Sequence, residues 1–284
     1  MTTKTFTFDE ELTVNRLGYG TMQLPGPGVW GPSTDPENAV AVMDAVLNSD
    51  VNFIDTADAY GPFFANDYLK QALSTYQGHH KMIATKVGFT RQGPNEWTPL
   101  GQPAYLRQQV ELNLFSLGVD QLDLIQLHRI DKTVPLADQL GVLADMKREG
   151  KVKHIGLSQV SVAELEAAQA ITPIASVQNR YNLTDRSDED VLNYAEAHHM
   201  AFIPWYPLAT GTLTAADGPL LSIAQAHRAT PAQIALAWLL QRSDVILPIP
   251  GTANIQHFFS NAAAASITLT DEEMTTLARG RSAQ

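Results

Sequence analysis

The chain has no cysteine, which excludes disulfides, thiolate nucleophiles and zinc-thiolate sites and fits a reducing compartment. It is also poor in basic residues. Nineteen Lys and Arg against thirty Asp and Glu leave a formal net charge of −11, and no basic cluster offsets it. Neither nucleic acid nor an anionic membrane is therefore expected as a partner. Long apolar runs are missing too: the most hydrophobic stretch, residues 234–240, is far shorter than the ~20 residues a membrane span needs. The opening MTTKTFTFDE has no apolar segment after its lysine, which argues against a secretory signal. No H-E-x-x-H, P-loop, G-x-S-x-G or Tyr-x-x-x-Lys occurs, so the usual marks of zinc proteases, nucleotidases, serine hydrolases and short-chain dehydrogenases are lacking. The expectation is a cytoplasmic protein, a monomer rather than an oligomer, acting on a small molecule.

What the 284 residues do contain is an alternation of short β-rich runs with longer segments whose apolar residues recur at helical spacing. At 44% hydrophobic side chains the chain can bury a large core, and no linker divides residues 1–284. Eight strands are predicted, at 16–22, 52–55, 82–86, 122–128, 154–158, 175–178, 201–205 and 245–249. Between them lie single apolar stripes such as Leu106, Val110, Leu114 and Leu117, or Leu136, Leu140 and Leu143. Asp35-Pro36, Gln102-Pro103 and Thr230-Pro231 mark helix starts. Eight such units predict the α/β class and a (β/α)8 TIM barrel, with an open doubly wound sheet as the alternative. Residues 5–8 and 12–14 flank Asp9-Glu10-Glu11 as an N-terminal β-hairpin expected to plug the barrel floor. Residues 255–265 and 271–278 read as extra C-terminal helices. The longest loops, 88–103 and 207–218, follow strands three and seven, on the face where barrel chemistry sits.

Polar residues end the apolar strands. NFID ends in Asp55, MIATK in Lys86, LDLIQLH in His128, HIGLS in Ser158 followed by Gln159, ASVQ in Gln178, and AFIPW in Trp205. In a barrel these positions converge on one mouth. Lys86 is costly to desolvate without an anion, and Asp55 on the adjacent strand supplies one. Tyr60, five residues after Asp55, can reach the same place. Singly, each has an ordinary structural account: a helix cap, a snorkelling lysine, a satisfied histidine, a core tyrosine. Together they form an acid–base set, in which Lys86 is expected to lower the Tyr60 pKa and His128 to orient the phenol or a carbonyl.

The motifs GYGTMQL, NFIDTADAYG, IATKVG, DLIQLHRID, HIGLSQV, VQNRYNL, PWYPLATG and PIPGT, in this order along nearly the whole chain, closely resemble those of the aldo-keto reductases. The resemblance implies a TIM barrel that binds a nicotinamide dinucleotide without a Rossmann domain. It implies a tetrad of Asp55, Tyr60, Lys86 and His128, with Tyr60 protonating a carbonyl that receives hydride. It also implies cofactor contacts from Gly20, Thr21, Met22 and Asp55. Ser158, Gln159 and Gln178 are implied on the carboxamide, and Trp205 against the nicotinamide ring, with Tyr206, Pro207, Leu208 and Gly211 beside it. Ile249, Gly251, Thr252, His257 and Asn261 are implied at the adenosine end, where a helix start near Asn254 offers N–H groups to a phosphate. Gln159 and Trp205 depart from the family's commoner asparagine and tyrosine, yet each keeps an amide or an aromatic plane. Gly251 and His257 stand where many relatives carry basic residues, and no lysine follows Lys153. NADP(H) is the expected cofactor, with NAD(H) the alternative.

Gly26, Gly28 and Gly31 match G-x-G-x-x-G, but Pro27 and Pro32 interrupt the motif and no helix follows directly, so it reads as a loop. The pairs His79-His80 and His198-His199 sit near helix ends and lack further ligand spacing, so no metal is expected. Trp30, Phe63, Phe64, Phe89 and Trp97 lie on loops around the expected mouth and suggest a mostly apolar substrate pocket. The function expected is reduction of an aromatic or aliphatic carbonyl compound. The chain as a whole resembles bacterial members of the family grouped with pyridoxal reductases, which makes a vitamin B6 aldehyde a specific candidate. The alternatives are a non-catalytic NADP(H)-sensing subunit and a Schiff-base lyase using Lys86.

Overall fold

A computed structural model describes residues 4–10, 12–208 and 218–279. The chain opens with strands β1 (Thr5–Asp9), β2 (Leu12–Asn15) and β3 (Tyr19–Gly20), then helix α1 (Pro36–Leu47). Next come β4 (Phe53–Asp55), α2 (Phe64–Leu73), β5 (Met82–Val87), and the short strands β6 (Phe89–Thr90) and β7 (Thr98–Pro99). Helix α3 (Pro103–Leu117), β8 (Leu122–Leu127), α4 (Leu136–Arg148), β9 (Val152–Ser158) and α5 (Val162–Gln169) continue the alternation. It runs on through β10 (Ser176–Gln178), α6 (Glu189–Ala197), β11 (Ala201–Phe202), α7 (Pro219–Ala226) and α8 (Pro231–Arg242). Helices α9 (Ile255–Ala262) and α10 (Asp271–Arg279) follow, separated by a 3₁₀ turn.

Local chemistry accounts for the helix starts. Pro36, Pro103 and Pro231 each occupy the first helical turn, where a missing N–H costs nothing. Asp35 and Thr230 accept from the N–H groups of Asn38 and Gln233, and Gln233 completes a capping box. The stripe Leu106, Val110, Leu114 and Leu117 is buried, as are Leu140 and Leu143 of α4. No helix among the described residues is long and apolar enough to cross a membrane.

Seven strands form one parallel sheet in the order β11-β10-β9-β8-β5-β4-β3. The predicted eighth strand, 245–249, is too irregular to count as one, but its backbone is engaged on both sides. Phe202 N–H donates to the Val245 carbonyl (2.8 Å) and Leu247 N–H to that of Phe202 (2.8 Å), while Gly18 N–H donates to the Pro248 carbonyl (2.9 Å). This closes the sheet on itself. Pro248 and Pro250 offer carbonyls but no N–H, which is why the ladder there is sparse. Glycine permits the close approach at this seam: a Cβ on Gly251 would lie 2.6 Å from the Gly20 carbonyl oxygen. Strand β3 is shorter than the predicted 16–22 because Arg16 N–H is bonded to the Lys4 carbonyl and Gly18 N–H to that of Pro248.

The hairpin β1–β2 is antiparallel and touches the early residues of two barrel strands. Phe8 lies 6.4 Å from Phe53 and 5.8 Å from His154, ring to ring, and His154 Nε2 is 2.8 Å from Asp9 Oδ2. The predicted loop 88–103 contains the small antiparallel pair β6–β7.

The seam is reinforced by a buried side chain. Arg16 donates from Nη1 to the Ser243 carbonyl (2.7 Å) and from Nη2 to that of Leu240 (2.8 Å), with Asp244 Oδ1 at 3.6 Å. Replacing it by methionine leaves buried carbonyls without donors, so Arg16→Met should lower stability by about 2–4 kcal/mol. Urea unfolding with an unchanged slope and a lower midpoint would show this; an unchanged midpoint would contradict it.

Candidate active site

Asp55 is the last residue of β4, Lys86 lies near the end of β5, His128 directly follows β8, and Ser158 and Gln178 end β9 and β10. Parallel pairing sets Lys86 beside Gln126 and Gln178 beside Ser158. Tyr60 arrives from the loop after β4, in a turn where its N–H donates to the Ala57 carbonyl. Gly61 follows at φ +110, and a Cβ there would sit 2.7 Å from Phe64. This bend requires glycine.

Lys86 is fully buried, and its ammonium has three protein partners. Nζ donates to Asp55 Oδ2 (2.5 Å), the Thr56 carbonyl (2.8 Å) and Tyr60 Oη (3.1 Å), which uses all three of its protons. Asp55 Oδ1 accepts from Gln178 Nε2 (2.8 Å) and Gln126 Nε2 (3.3 Å). Below these groups, Thr21, Thr56, Asn66, Asn113 and Thr85 form a buried hydrogen-bonded chain with contacts of 2.7–3.0 Å. It ties α2 and α3 to the strands that carry Asp55 and Lys86.

The electrostatics follow from burial and from this ion pair. Burial alone would lower the Lys86 pKa, but Asp55 and Tyr60 hold the ammonium above the ordinary lysine value. Tyr60 corrects the sequence-based expectation: burial pushes the phenol above its usual value, and the opposing pull of Lys86 does not overcome it. Asp55 sits beside the same ammonium and offsets part of its field. Burial, together with the charges of Lys86, Arg129 and Arg91, pushes His128 well below the ordinary histidine value. It is therefore a neutral imidazole. Its Nδ1 is buried without a protein partner.

The aromatic walls are partly those expected. Tyr60, His128, Phe89 and Trp97 pack edge to face, at 6.0 Å between Tyr60 and His128, 4.6 Å between Phe89 and His128, and 6.4 Å between Tyr60 and Trp97. Trp30 pairs through its backbone with Gly61, and its ring lies 5.7 Å from the Arg91 guanidinium, which is 3.6 Å from the ring of Trp97. Phe64 turns toward Tyr68 and the core, and Phe63 caps α2 at φ +62.

Trp205 Nε1 donates to Gln159 Oε1 (2.9 Å), which brings those two residues together beside Ser158 and Gln178. Tyr206 and Met22 are exposed, Thr21 and Pro207 are buried, and Leu208 packs on the core. Gly211 lies outside the described residues. Ile249, Gly20 and Gly251 line the seam. The Thr252 carbonyl accepts from Tyr19 Oη (2.7 Å). On α9, His257 is exposed and Asn261 is buried. Asn254 Oδ1 already accepts from the N–H groups of Gln256 and His257. Among the described residues no cluster of three His, Asp or Glu could hold a metal.

Four residues at this mouth escaped the sequence reading: Gln126, Asp58, Arg91 and Arg129. Both carboxylate oxygens of Asp58 are buried, and burial pushes its pKa well above the carboxylate range against the opposing pull of the Ala59 N–H and Lys86. Arg91 donates to the carbonyls of Gly28, Val29, Ala59, Gly93 and Glu96 at 2.6–3.2 Å. Arg129 stands directly after His128 in LHRID, a position that could have drawn attention to it.

A sequence model described as the aldo/keto reductase family matches residues 16–280. The chain is 46% identical over 262 residues to an uncharacterised oxidoreductase of Schizosaccharomyces pombe, covering 92% of this chain and 85% of that protein. It is 41% identical over 283 residues to a pyridoxine 4-dehydrogenase of Escherichia coli, covering 98% of each. A solved aldo-keto reductase from Klebsiella pneumoniae, in complex with NADPH, superposes with a TM-score of 0.82 at 28% identity, over 98% of this chain and 95% of the other.

Four of the eight tyrosines, Tyr19, Tyr60, Tyr105 and Tyr181, have phenols raised above the ordinary value, chiefly by burial. An alkaline titration followed by phenolate absorbance should therefore show about half the phenols resisting ionisation until the fold opens. Smooth ionisation of all eight near the free-tyrosine pKa of about 10 would refute these environments.

Proposed function

The chain belongs to the aldo/keto reductase family, and we propose that it reduces an aldehyde or ketone to an alcohol with a nicotinamide dinucleotide. The observation that supports this reading best is the buried ammonium of Lys86, shared by Asp55 and Tyr60. Ser158, Gln159 and Gln178 present a hydroxyl and two amides at neighbouring strand ends, the chemical complement of a carboxamide, and Trp205 offers an adjacent ring face. These groups fit a nicotinamide. When bound, it supplies the hydride for the carbonyl carbon. NADP(H) is favoured by the NADPH-bound relative, with Thr252 and His257 the side chains proposed to meet an adenosine phosphate.

Tyr60 acts as the proton donor. Burial keeps its phenol protonated at neutral pH, so it enters the reaction as an acid. As negative charge grows on the carbonyl oxygen, Tyr60 passes its proton to that atom, and the phenolate left behind rests on Lys86 at the contact already formed. Asp55 keeps the lysine charged throughout. Neutral His128 donates one hydrogen bond to the carbonyl oxygen without bringing a charge of its own. A Schiff-base role for Lys86 is opposed by the same geometry, because its nitrogen is held protonated and fully hydrogen-bonded. The hairpin β1–β2 is assigned to close the barrel end opposite this mouth. The Escherichia coli relative supports a vitamin B6 aldehyde as one substrate.

Tyr60→Phe should reduce kcat by about 10²–10⁴-fold, the range for removing a general acid, while NADPH still quenches tryptophan emission through Trp205. Retained turnover would remove Tyr60 from this role. The pH profile has a defined sign. Because the phenol's pKa is raised and reduction needs the protonated form, reductive kcat should stay level through neutral pH and fall only above pH ~10. Alcohol oxidation, which needs the phenolate, should rise over that same range. A reductive limb falling near pH 7 would contradict the protonation state assigned here.

A further inference from the structure

Among the described residues, two arginines at the mouth have no ion-pair partner, although the chain as a whole is at −11. Lys86 and Asp55 cancel one another. Asp58 is pushed toward its neutral acid by burial, and His128 toward its neutral base. Arg180 is paired with Asp185 at 3.0 Å. Arg91 and Arg129 remain, and neither forms an ion pair with a described residue. The two differ in what they have left to offer. Arg91 has its donors taken by five backbone carbonyls, so it contributes field but no free N–H. Arg129 uses only Nη1, which donates to its neighbour's carbonyl at His128 (2.5 Å) and to Ser158 Oγ (3.0 Å). Its Nε and Nη2 make no hydrogen bond to a described residue.

The guanidinium of Arg129 is placed between the aromatic wall and the cofactor side, 5.5 Å from the Phe89 ring and 6.0 Å from that of Trp205. It also feels the oxygen of Tyr60, the atom assigned to proton transfer. A half-buried cation with no counter-ion among the described residues carries a desolvation cost. The planar fork, with Nε and Nη2 forming one free edge, matches an oxyanion. A dinucleotide's pyrophosphate is separated from its nicotinamide by a ribose and its adenosine phosphate is expected toward residues 249–261, whereas Arg129 stands beside Ser158 and acts on Tyr60, so the anion assigned to it belongs to the substrate.

We propose that Arg129 is a specificity residue that binds an anionic oxygen substituent of the substrate, so that the site prefers carbonyl compounds carrying a carboxylate or a comparable oxyanion. This rests on the reductase reading above and extends it by naming a substrate class. The apolar pocket expected from Phe89 and Trp97 then describes two walls, with a cation as the third.

The test compares 4-formylbenzoate with its uncharged methyl ester, using NADPH and the wild-type, Arg129→Gln and Arg129→Lys proteins. The ratio of kcat/KM for acid over ester should exceed one in the wild type. It should fall by about ten- to a hundredfold in Arg129→Gln, the effect of one hydrogen-bonded charge, and recover in part in Arg129→Lys. Taking the ratio removes any general damage to folding or cofactor binding. A ratio unchanged by Arg129→Gln overturns the proposal, as does equal loss on both substrates with weakened NADPH quenching, which would put Arg129 on the cofactor. Should the wild type reduce neither aldehyde, the reductase reading fails, but calorimetry of benzoate binding to the NADPH-saturated proteins still decides the role of Arg129. Binding weakened in Arg129→Gln supports an anion site, and binding that does not change overturns it.

Discussion

One ammonium group, at Lys86, holds the site together. It is buried among Asp55, the Thr56 carbonyl and Tyr60, and each partner solves a different problem. The carboxylate keeps the nitrogen charged in a place where desolvation would otherwise neutralise it. The carbonyl takes the proton left over. The phenol has a cation already beside it, which in the proposed mechanism would support the phenolate left by proton transfer. Remove the lysine and Asp55 becomes a buried carboxylate held only by two glutamine amides, while Tyr60 has no means of supporting a phenolate.

The way Asp55 is held also joins two halves of the site. Its second oxygen accepts from Gln178, one of the residues proposed for carboxamide recognition, so in that reading the cofactor end of the site and the proposed acid–base set meet at a single carboxylate. Gln126 braces the same oxygen from β8. The buried chain from Thr21 to Thr85 fixes the strands beneath. The candidate catalytic groups on strand ends are thus held by neighbouring strands and by helices, and not by loops alone.

Much of this was legible from residue order. Period and punctuation located the strands, and the proline-marked helix starts at Pro36, Pro103 and Pro231 fell where the dipeptides placed them. The polar strand ends Asp55, Lys86 and His128 stood out because charge at the end of an apolar run demands a partner. What could not be read is what depends on distance through space. Whether Lys86 acidifies Tyr60 turns on how burial weighs against a half-neutralised charge, and burial prevails. Whether Arg129 has a counter-ion depends on residues far away in the chain. Phe64 looked like a mouth residue by its loop position, yet the bend at Gly61 sends it to the core. The eighth strand was located, but Pro248 and Pro250 kept it from a regular ladder.

The guanidinium of Arg91 has a consequence for how ligands arrive. Its five carbonyl partners come from three separate stretches of chain, and its flat face supports the indole of Trp97. That side of the entrance is ordered when the chain folds and not when a guest enters, so capture there forfeits little backbone entropy. A wall braced in this way would discriminate among molecules by their shape and would not adjust to each.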